Sequence, residues 1–230
     1  MKGKKDHGAR TESAVTKEQT GATTGVGANT QTSAAVGANN PNVNAKLKVN
    51  VEKVNARGGK VPDIQMIRTQ HTSFRAQARP DKVPAVTFNQ SYRINGSEQW
   101  QGRQYEVFRA YRPERHDRGW YSSRNFRVEL IGGGYYYYDG GYCYPAWGYD
   151  SSSEYYAYDG PIYVGSHSEP PDRVIANVQA ALQEMGYYRG EVDGLLGPIT
   201  RQALTAYQAD NGLYTTATID EPTLDSLGMG

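Results

Sequence analysis

The sequence predicts an α+β, multidomain protein in which a disordered N-terminal tail precedes a small antiparallel β meander region and a C-terminal three-helix bundle. A mean hydropathy of −0.74 and an apolar fraction of 37% are low for a chain of 230 residues that is folded throughout. Tyrosine and glycine are concentrated in the middle of the chain, and helical spacing of apolar residues is clearest near its end. These observations divide the chain into three parts of different character.

Residues 1–82 are predicted to form a disordered or low-complexity tail and linker. Small and polar residues dominate the first 60 positions, and such a segment cannot bury enough apolar surface to offset its chain entropy. Only the alternation of Leu47, Val49 and Val51 suggests a short strand, from Lys46 to Val54. The basic start is not followed by the apolar run of a secretion signal, and no window is apolar enough for a membrane-spanning helix.

Residues 83–165 are predicted to be a Tyr/Gly-rich, β-rich region. Apolar residues at alternate positions between Val86 and Ile94 predict its first strand, and the spacing from Gln101 to Tyr111 favours a short helix ending before Pro113. A three-stranded meander follows between Phe126 and Pro145. Its turns are predicted at the glycines 132–134 and at residues 139–140.

Eleven of the nineteen tyrosines lie between Tyr135 and Tyr163. Tyrosine rings could form an aromatic platform for sugars or a wall surface, or they could simply pack a small sheet that has few aliphatic residues. The stretch from Arg68 to Arg127 holds twelve Lys or Arg against five Asp or Glu. It therefore suits either an anionic partner such as nucleic acid or an ordinary solvated basic surface.

No motif in the sequence predicts an active site. The single cysteine, Cys143, lacks the surroundings of a catalytic thiol unless folding brings His116 close to it. The four histidines are too scattered for a zinc site, and the acidic residues Glu98, Glu106, Glu114 and Asp117 resemble ordinary surface acids. We therefore expect no catalytic residues, no metal and no cofactor.

Residues 172–230 are predicted to form three helices after a linker at 166–171. The first has an apolar face from Val174 to Met185, with Asp172 as its cap and Gly186 as its end. The second starts at Gly197-Pro198 and is predicted to bury Ile199, Ala203, Leu204 and Tyr207. The third is capped by Asp220 and ends at Gly228.

These residues resemble the three-helix peptidoglycan-binding domain found in many wall hydrolases and transpeptidases. The resemblance covers about residues 172–229 and includes Val178-Gln179, Gly186-Tyr187-Tyr188, Val192-Asp193-Gly194, Gly197-Pro198, Thr200-Arg201, Tyr207-Gln208, Gly212-Leu213 and Ile219-Asp220. It implies a non-catalytic domain that binds the wall polymer. The middle region, especially Tyr105 to Arg109, His116 to Arg118 and Leu130 to Tyr137, resembles an uncharacterised segment that precedes this domain in bacterial envelope proteins.

The resemblance implies a non-catalytic peptidoglycan-binding protein that tethers itself to the bacterial envelope, on the periplasmic or extracellular side. Tyrosine rings and an arginine suit a peptide stem and its carboxylates, whereas Asp193 and Thr200 could instead satisfy backbone groups of the module. The candidate ligand-binding residues are Tyr187, Tyr188, Asp193, Thr200, Arg201 and Gln208. Alternatives are a wall-remodelling enzyme with its active site in the middle region, or a nucleic-acid binder, although we expect no nucleic-acid partner.

Overall fold

The computed structural model describes residues 47–152, 155–166 and 169–230. Residues 1–46 of the predicted tail and linker lie outside this part of the chain. The described residues contain a four-stranded antiparallel sheet in the order β1-β2-β3-β4 together with seven α-helices. The α+β class is therefore confirmed. None of the helices in the described residues is long and apolar enough to cross a membrane.

The sheet is the predicted meander with one additional strand. Its strands are Val128–Ile131 (β1), Gly134–Asp139 (β2), Tyr142–Pro145 (β3) and Ile162–Tyr163 (β4). Gly132 and Gly133 form the first tight turn at φ values of 56° and 98°, a conformation that only glycine adopts without strain. The second turn uses Gly140 and Gly141, one residue later than the sequence predicts, because these are the two positions with positive φ.

The strand predicted between Val86 and Ile94 does not form. This segment is not part of the sheet; the backbone N–H of Val86 donates to the carbonyl of Tyr156, while the side chains of Val86 and Phe88 pack against the core. The alternating apolar residues are half-buried rather than buried, and their spacing does not require strand pairing. The helix expected before Pro113 is confirmed as a 3₁₀ turn, Arg103–Tyr105, followed by α3, Glu106–Ala110. Helix α4, Arg118–Ser123, follows it.

The C-terminal module has the three predicted helices: Pro171–Glu184 (α5), Pro198–Asp210 (α6) and Glu221–Ser226 (α7). Asp220 caps α7 by accepting a hydrogen bond from the backbone of Thr223, as predicted. Asp172 is not the cap of α5: it lies in the first turn of that helix, and its carboxylate accepts a hydrogen bond from the backbone of Ala76. Ile199 is not in the core, because its side chain is 59% exposed.

Part of the segment predicted as linker is folded. Residues 51–70 contain two short helices, Val51–Ala56 (α1) and Ile64–Gln70 (α2), and the strand predicted from Lys46 to Val54 is reduced to an isolated bridge between Leu47 and Leu227. Val54, Ile64 and Ile67 are buried. We call residues 47–83 the clasp, because they contact the C-terminal module at several points along its surface.

Polar contacts attach the clasp to the module from one end to the other. Asn50 N donates to Asn211 Oδ1 at 2.7 Å, and Arg57 pairs with Asp210 at 2.9 Å. The backbone of Lys60 donates to the carbonyl of Glu184 and so satisfies the C-terminal turn of α5. Further along, Lys82 pairs with Glu191 at 2.7 Å. The clasp therefore covers parts of the module that would otherwise face solvent.

One hydrophobic core joins the clasp, the sheet and the module. Tyr158 and Ile162 from the sheet region belong to the same buried cluster as Val174 and Leu182 from α5 and Val54 from the clasp. Ten of the fourteen residues of α5 are buried, which is unusual for a surface helix with a single apolar face. The module is packed on more than one side by the rest of the chain.

Truncation of the module core should lower the stability of the whole folded unit. Leu182 and Leu204 are fully buried, and we expect Leu182→Ala or Leu204→Ala to reduce the free energy of unfolding by about 2–5 kcal/mol. Urea unfolding followed by circular dichroism would measure this loss. Ile199→Ala is the matched control, because an exposed aliphatic side chain should contribute only about 0.5 kcal/mol or less. Equal losses for all three variants would contradict the core assignment.

Candidate functional sites

A buried glutamine in α5 holds the loop that enters α6. Gln179 is fully buried, and its Oε1 accepts hydrogen bonds from the backbone N–H groups of Asp193 and Gly194 at 3.1 and 2.9 Å. Its Nε2 lies 2.8 Å from Asp193 Oδ1 and 2.9 Å from Thr200 Oγ1. This single amide thereby fixes the backbone and the polar side chains of the loop.

A second glutamine does the same for the next loop. Gln208 in α6 is fully buried; its Oε1 accepts from the backbone of Ala217, and its Nε2 donates to Thr223 Oγ1 and to the carbonyl of Thr218. We call Gln179 and Gln208, each with its hydrogen-bond partners, the two glutamine clamps; they hold the loops that follow α5 and α6 in a similar way. Buried amides of this kind are stable only when their hydrogen-bonding capacity is used.

Three of the six candidate ligand-binding residues are committed to these clamps. Gln208 forms one clamp, while Asp193 and Thr200 are partners of Gln179 in the other. Asp193 Oδ1 also accepts from the backbone of Leu195 at 3.0 Å, and the hydroxyl of Thr200 donates to the carbonyl of the same residue. Their hydrogen bonds are made inside the module, where they shape its loops.

The two adjacent tyrosines also have internal partners. The hydroxyl of Tyr187 donates to Asp210 Oδ2 at 3.2 Å, and the guanidinium of Arg57 lies 4.3 Å from the ring centre. Burial, reinforced by Asp210, raises the pKa of Tyr187 to about 12, so this phenol remains a neutral donor. Tyr188 is 4% exposed, and its hydroxyl donates to the carbonyl of Glu191 at 2.6 Å.

Arg201 is the one cationic residue among the six candidates, and its side chain is partly exposed. Its side chain is 34% exposed, one terminal nitrogen donates to the carbonyl of Ala217 at 3.2 Å, and the other lies 3.5 Å from Asp159 of the sheet region. A guanidinium carries five N–H donors, so these two contacts leave donors for a further acceptor. A small cavity of about 30 Å³ adjoins this residue.

A larger cavity lies in the middle region and is lined mainly by aromatic rings. Its volume is about 230 Å³, and its walls are formed by Tyr111, Arg112, Glu114, His116, Trp120, Tyr121, Tyr137, Pro145 and Trp147. The carbonyl of Trp147 accepts hydrogen bonds from the backbone of His116 at 2.9 Å and from the hydroxyl of Tyr121 at 3.2 Å. These bonds hold the stretch from His116 to Tyr121 against Trp147, and we call the space between these segments the aromatic cavity.

A histidine and a glutamate stand at one side of the aromatic cavity. His116 Nε2 lies 2.9 Å from Glu114 Oε2, and the imidazole stacks on Trp120 with a ring-centre separation of 3.7 Å and an interplanar angle of 2°. The guanidinium of Arg124 also lies over the Trp120 ring, at 4.0 Å. Trp120 is thus occupied by protein groups and fixes His116 in place.

Cys143 lies on β3, and its side chain is fully buried. Burial raises the pKa of the thiol well above its usual value. The polar groups with the largest effect on this thiol are Glu129, Tyr158 and Arg127 rather than His116. Among the described residues, no group of three or more His, Cys, Asp or Glu side chains is arranged to hold a metal ion.

Several arginines of the basic stretch make contacts within the protein. Arg118 pairs with Asp150 at 3.0 Å, Arg127 pairs with Glu129 at 2.6 Å, and Arg109 donates to the carbonyl of Gly102 at 3.1 Å. Arg115 lies 4.9 Å from the centre of the Phe88 ring. Their side chains stabilise local loops and partly neutralise the surface charge that the sequence count suggests.

Residues 173–227 match the family described as "Putative peptidoglycan binding domain". The match includes nearly all of α5, the whole of α6 and α7, and both glutamine clamps. The C-terminal part of this chain is thus a peptidoglycan-binding domain, and the resemblance seen in the sequence is confirmed. Such a domain indicates association with the cell wall and the cell envelope.

The chain is similar in this region to two curated proteins with different names. It is 43% identical over 51 residues to localization factor PodJL of Caulobacter vibrioides, covering 22% of this chain and 5% of that protein. It is 43% identical over 53 residues to N-acetylmuramoyl-L-alanine amidase CwlM of Mycobacterium tuberculosis, covering 23% of this chain and 13% of that protein. The chain therefore spans only a small part of each relative. No solved structure matches it.

Proposed function

We propose that this protein is a non-catalytic peptidoglycan-binding protein that attaches itself to the wall, on the periplasmic or extracellular side. The observation that carries the proposal is the peptidoglycan-binding domain at residues 173–227, folded with both glutamine clamps complete. Non-catalytic attachment is supported by the burial of Cys143. It is also supported by the aromatic cavity, whose wall includes a single carboxylate, Glu114, whereas glycoside cleavage usually needs two across a cleft.

Arg201 is the candidate residue that best suits a direct contact with the polymer. Its partly exposed guanidinium retains donors after its contacts with Ala217 and Asp159, and peptide stems carry carboxylates that a guanidinium binds in a two-pronged geometry. Tyr187, Tyr188, Asp193, Thr200 and Gln208 would then act by shaping the loops around it. This division of roles follows from the burial and hydrogen bonds of each side chain.

Sedimentation of the full chain with purified insoluble peptidoglycan tests the proposed attachment. We expect the protein to pellet with the wall and the turbidity of the suspension to stay constant. A steady fall in turbidity would instead show that the chain cuts the wall, and the enzyme alternative would replace the proposal. Protein that stays in the supernatant at every wall concentration would remove the binding function itself.

Arg201→Ala should weaken wall binding by about tenfold, because a charge-assisted hydrogen bond contributes about 1.5–3 kcal/mol. Binding isotherms from the same sedimentation assay would measure the change. Arg189→Ala is the matched control, since Arg189 is an exposed arginine of the same module and its removal changes the net charge equally. If the two variants bind alike, Arg201 does not contact the polymer. Thermal melts should show both variants folded, because exposed ion pairs contribute little to stability.

A further inference from the structure

One ion pair joins the peptidoglycan-binding domain to the middle region. Arg201 of α6 and Asp159, which lies just before β4, approach each other at 3.5 Å, which is longer than the roughly 2.7–2.9 Å of a closed charge-assisted hydrogen bond. The pair between Arg57 and Asp210, by contrast, is closed at 2.9 Å. The Arg201–Asp159 pair is therefore open enough for a further group to approach both charges.

Both members of this pair can be reached from solvent and keep hydrogen-bonding capacity. The side chains of Arg201 and Asp159 are 34% and 28% exposed. One terminal nitrogen of the arginine meets one carboxylate oxygen, Oδ1, and the other terminal nitrogen donates to the carbonyl of Ala217. A guanidinium has five N–H donors, and a carboxylate has about four lone-pair positions. Each group can therefore bind a second partner of opposite charge.

Tyr92 and the loop before α7 complete the surroundings of the pair. The small cavity of about 30 Å³ beside Arg201 is also lined by Tyr92, Asp159, Thr216 and Thr218. One water needs about 10–15 Å³ of such space, so the cavity has room for a small polar group but not for a ring. Burial raises the pKa of Tyr92, and the carboxylate of Asp159 raises it further. The phenol therefore stays protonated beside that carboxylate.

Two opposite charges held side by side suit a ligand that itself carries both charges. A lone anion would be attracted by Arg201 but repelled by Asp159, and the reverse holds for a lone cation. A carbon that bears both an ammonium and a carboxylate avoids this conflict, because the guanidinium binds the carboxylate in a two-pronged geometry and the ammonium donates to the aspartate. Such a group ends the side chain of a diamino dicarboxylic acid in an uncrosslinked wall peptide.

We propose that Arg201 and Asp159 together bind the zwitterionic amino-acid end of an uncrosslinked wall peptide. Arg201 binds the carboxylate of that group, and Asp159 binds its ammonium. Asp159 lies outside residues 173–227, so the binding site is shared between the peptidoglycan-binding domain and the middle region. The inference rests on the proposed wall attachment and names the chemical group that is bound.

Isothermal titration calorimetry on the full chain tests this proposal with two peptides. The first is L-alanyl-γ-D-glutamyl-meso-diaminopimelate, and the second is the same peptide acetylated on its side-chain amine. Acetylation should weaken binding to the parent protein by about tenfold, because it removes a charge-assisted hydrogen bond. Asp159→Asn should bind the free-amine peptide about tenfold more weakly than the parent and should bind both peptides alike. Its melting curve should match that of the parent, because exposed ion pairs contribute little to stability.

Asp150→Asn is the matched control, because Asp150 is a partly exposed aspartate of the middle region that pairs with Arg118 and its change alters the net charge equally. It should bind both peptides as the parent does. If the full chain pellets with the wall but binds neither peptide, binds both alike, or is unaffected by Asp159→Asn, this inference is overturned and the wall attachment stands. Tighter binding by Asp159→Asn would show that Arg201 takes an anion alone, which also overturns it. A chain that binds neither the wall nor the peptides would remove both proposals.

Discussion

A fragment of residues 169–230 is expected to melt at least about 10 °C below residues 47–230, or not to fold cooperatively at all. About sixty residues give a marginal core on their own. In the whole chain, Val54, Ile64 and Ile67 of the clasp are buried in the core that includes α5, and burial of one such side chain contributes about 1.5–3 kcal/mol. Loss of several kilocalories per mole shifts the melting temperature of a small domain by tens of degrees.

Circular dichroism melts of the two fragments would measure this difference. A peptide of residues 47–83 added to the short fragment serves as the control, because it should raise the melting temperature in a concentration-dependent way if the clasp is the missing part. A short fragment that melts cooperatively at the same temperature as the longer one would show that the clasp contributes nothing. The short fragment can be used in wall-binding assays only if it folds cooperatively without the clasp.

Gln179→Leu should lower the free energy of unfolding by about 3–5 kcal/mol. The substitution leaves the backbone N–H groups of Asp193 and Gly194 without their acceptor, and each unsatisfied buried group costs about 1–3 kcal/mol. Thr200 loses a partner at the same time. The loop that enters α6 would no longer be fixed, so the expected effect exceeds that of losing one apolar contact.

Urea unfolding compares this variant with Gln183→Leu, an exposed position on the same helix. Gln183 makes one hydrogen bond, to the carbonyl of Gly190 at 3.0 Å, and its replacement should cost about 1 kcal/mol or less. Gln208→Leu should behave like Gln179→Leu, since it removes the second clamp. A small loss at Gln179 together with a large loss at Gln183 would show that the clamps do not hold the module together.

Local signals in the sequence predicted the module and the meander well. Helices start or end at Gly197-Pro198, Asp220 and Gly228. These signals could be recognised because their effects depend on neighbouring residues alone. The clasp could not be predicted in the same way. Val54 and Ile67 gain their burial from residues more than a hundred positions away, and no short-range periodicity reports such packing.

The candidate site residues show a second limit of sequence reasoning. A polar residue in a family motif can contact the ligand or can hold a loop. A threonine at position 200 or a glutamine at position 208 suits either role, so the sequence alone does not distinguish them. Only the structure shows that both side chains lie inside the module beside buried partners. The aromatic cavity could not be predicted for a related reason: its lining residues come from separate segments of the chain, which only the fold brings together.

The bridge between Leu47 and Leu227 brings the first described residue next to the last helix of the module. The backbone N–H of Lys48 donates to the carbonyl of Ser226, which reinforces this pairing. Leu47 and the end of the chain at Gly230 therefore lie on the same side of the module. A protein fused after Gly230 would sit beside the first residues of the clasp and would leave the opposite side of the module unobstructed.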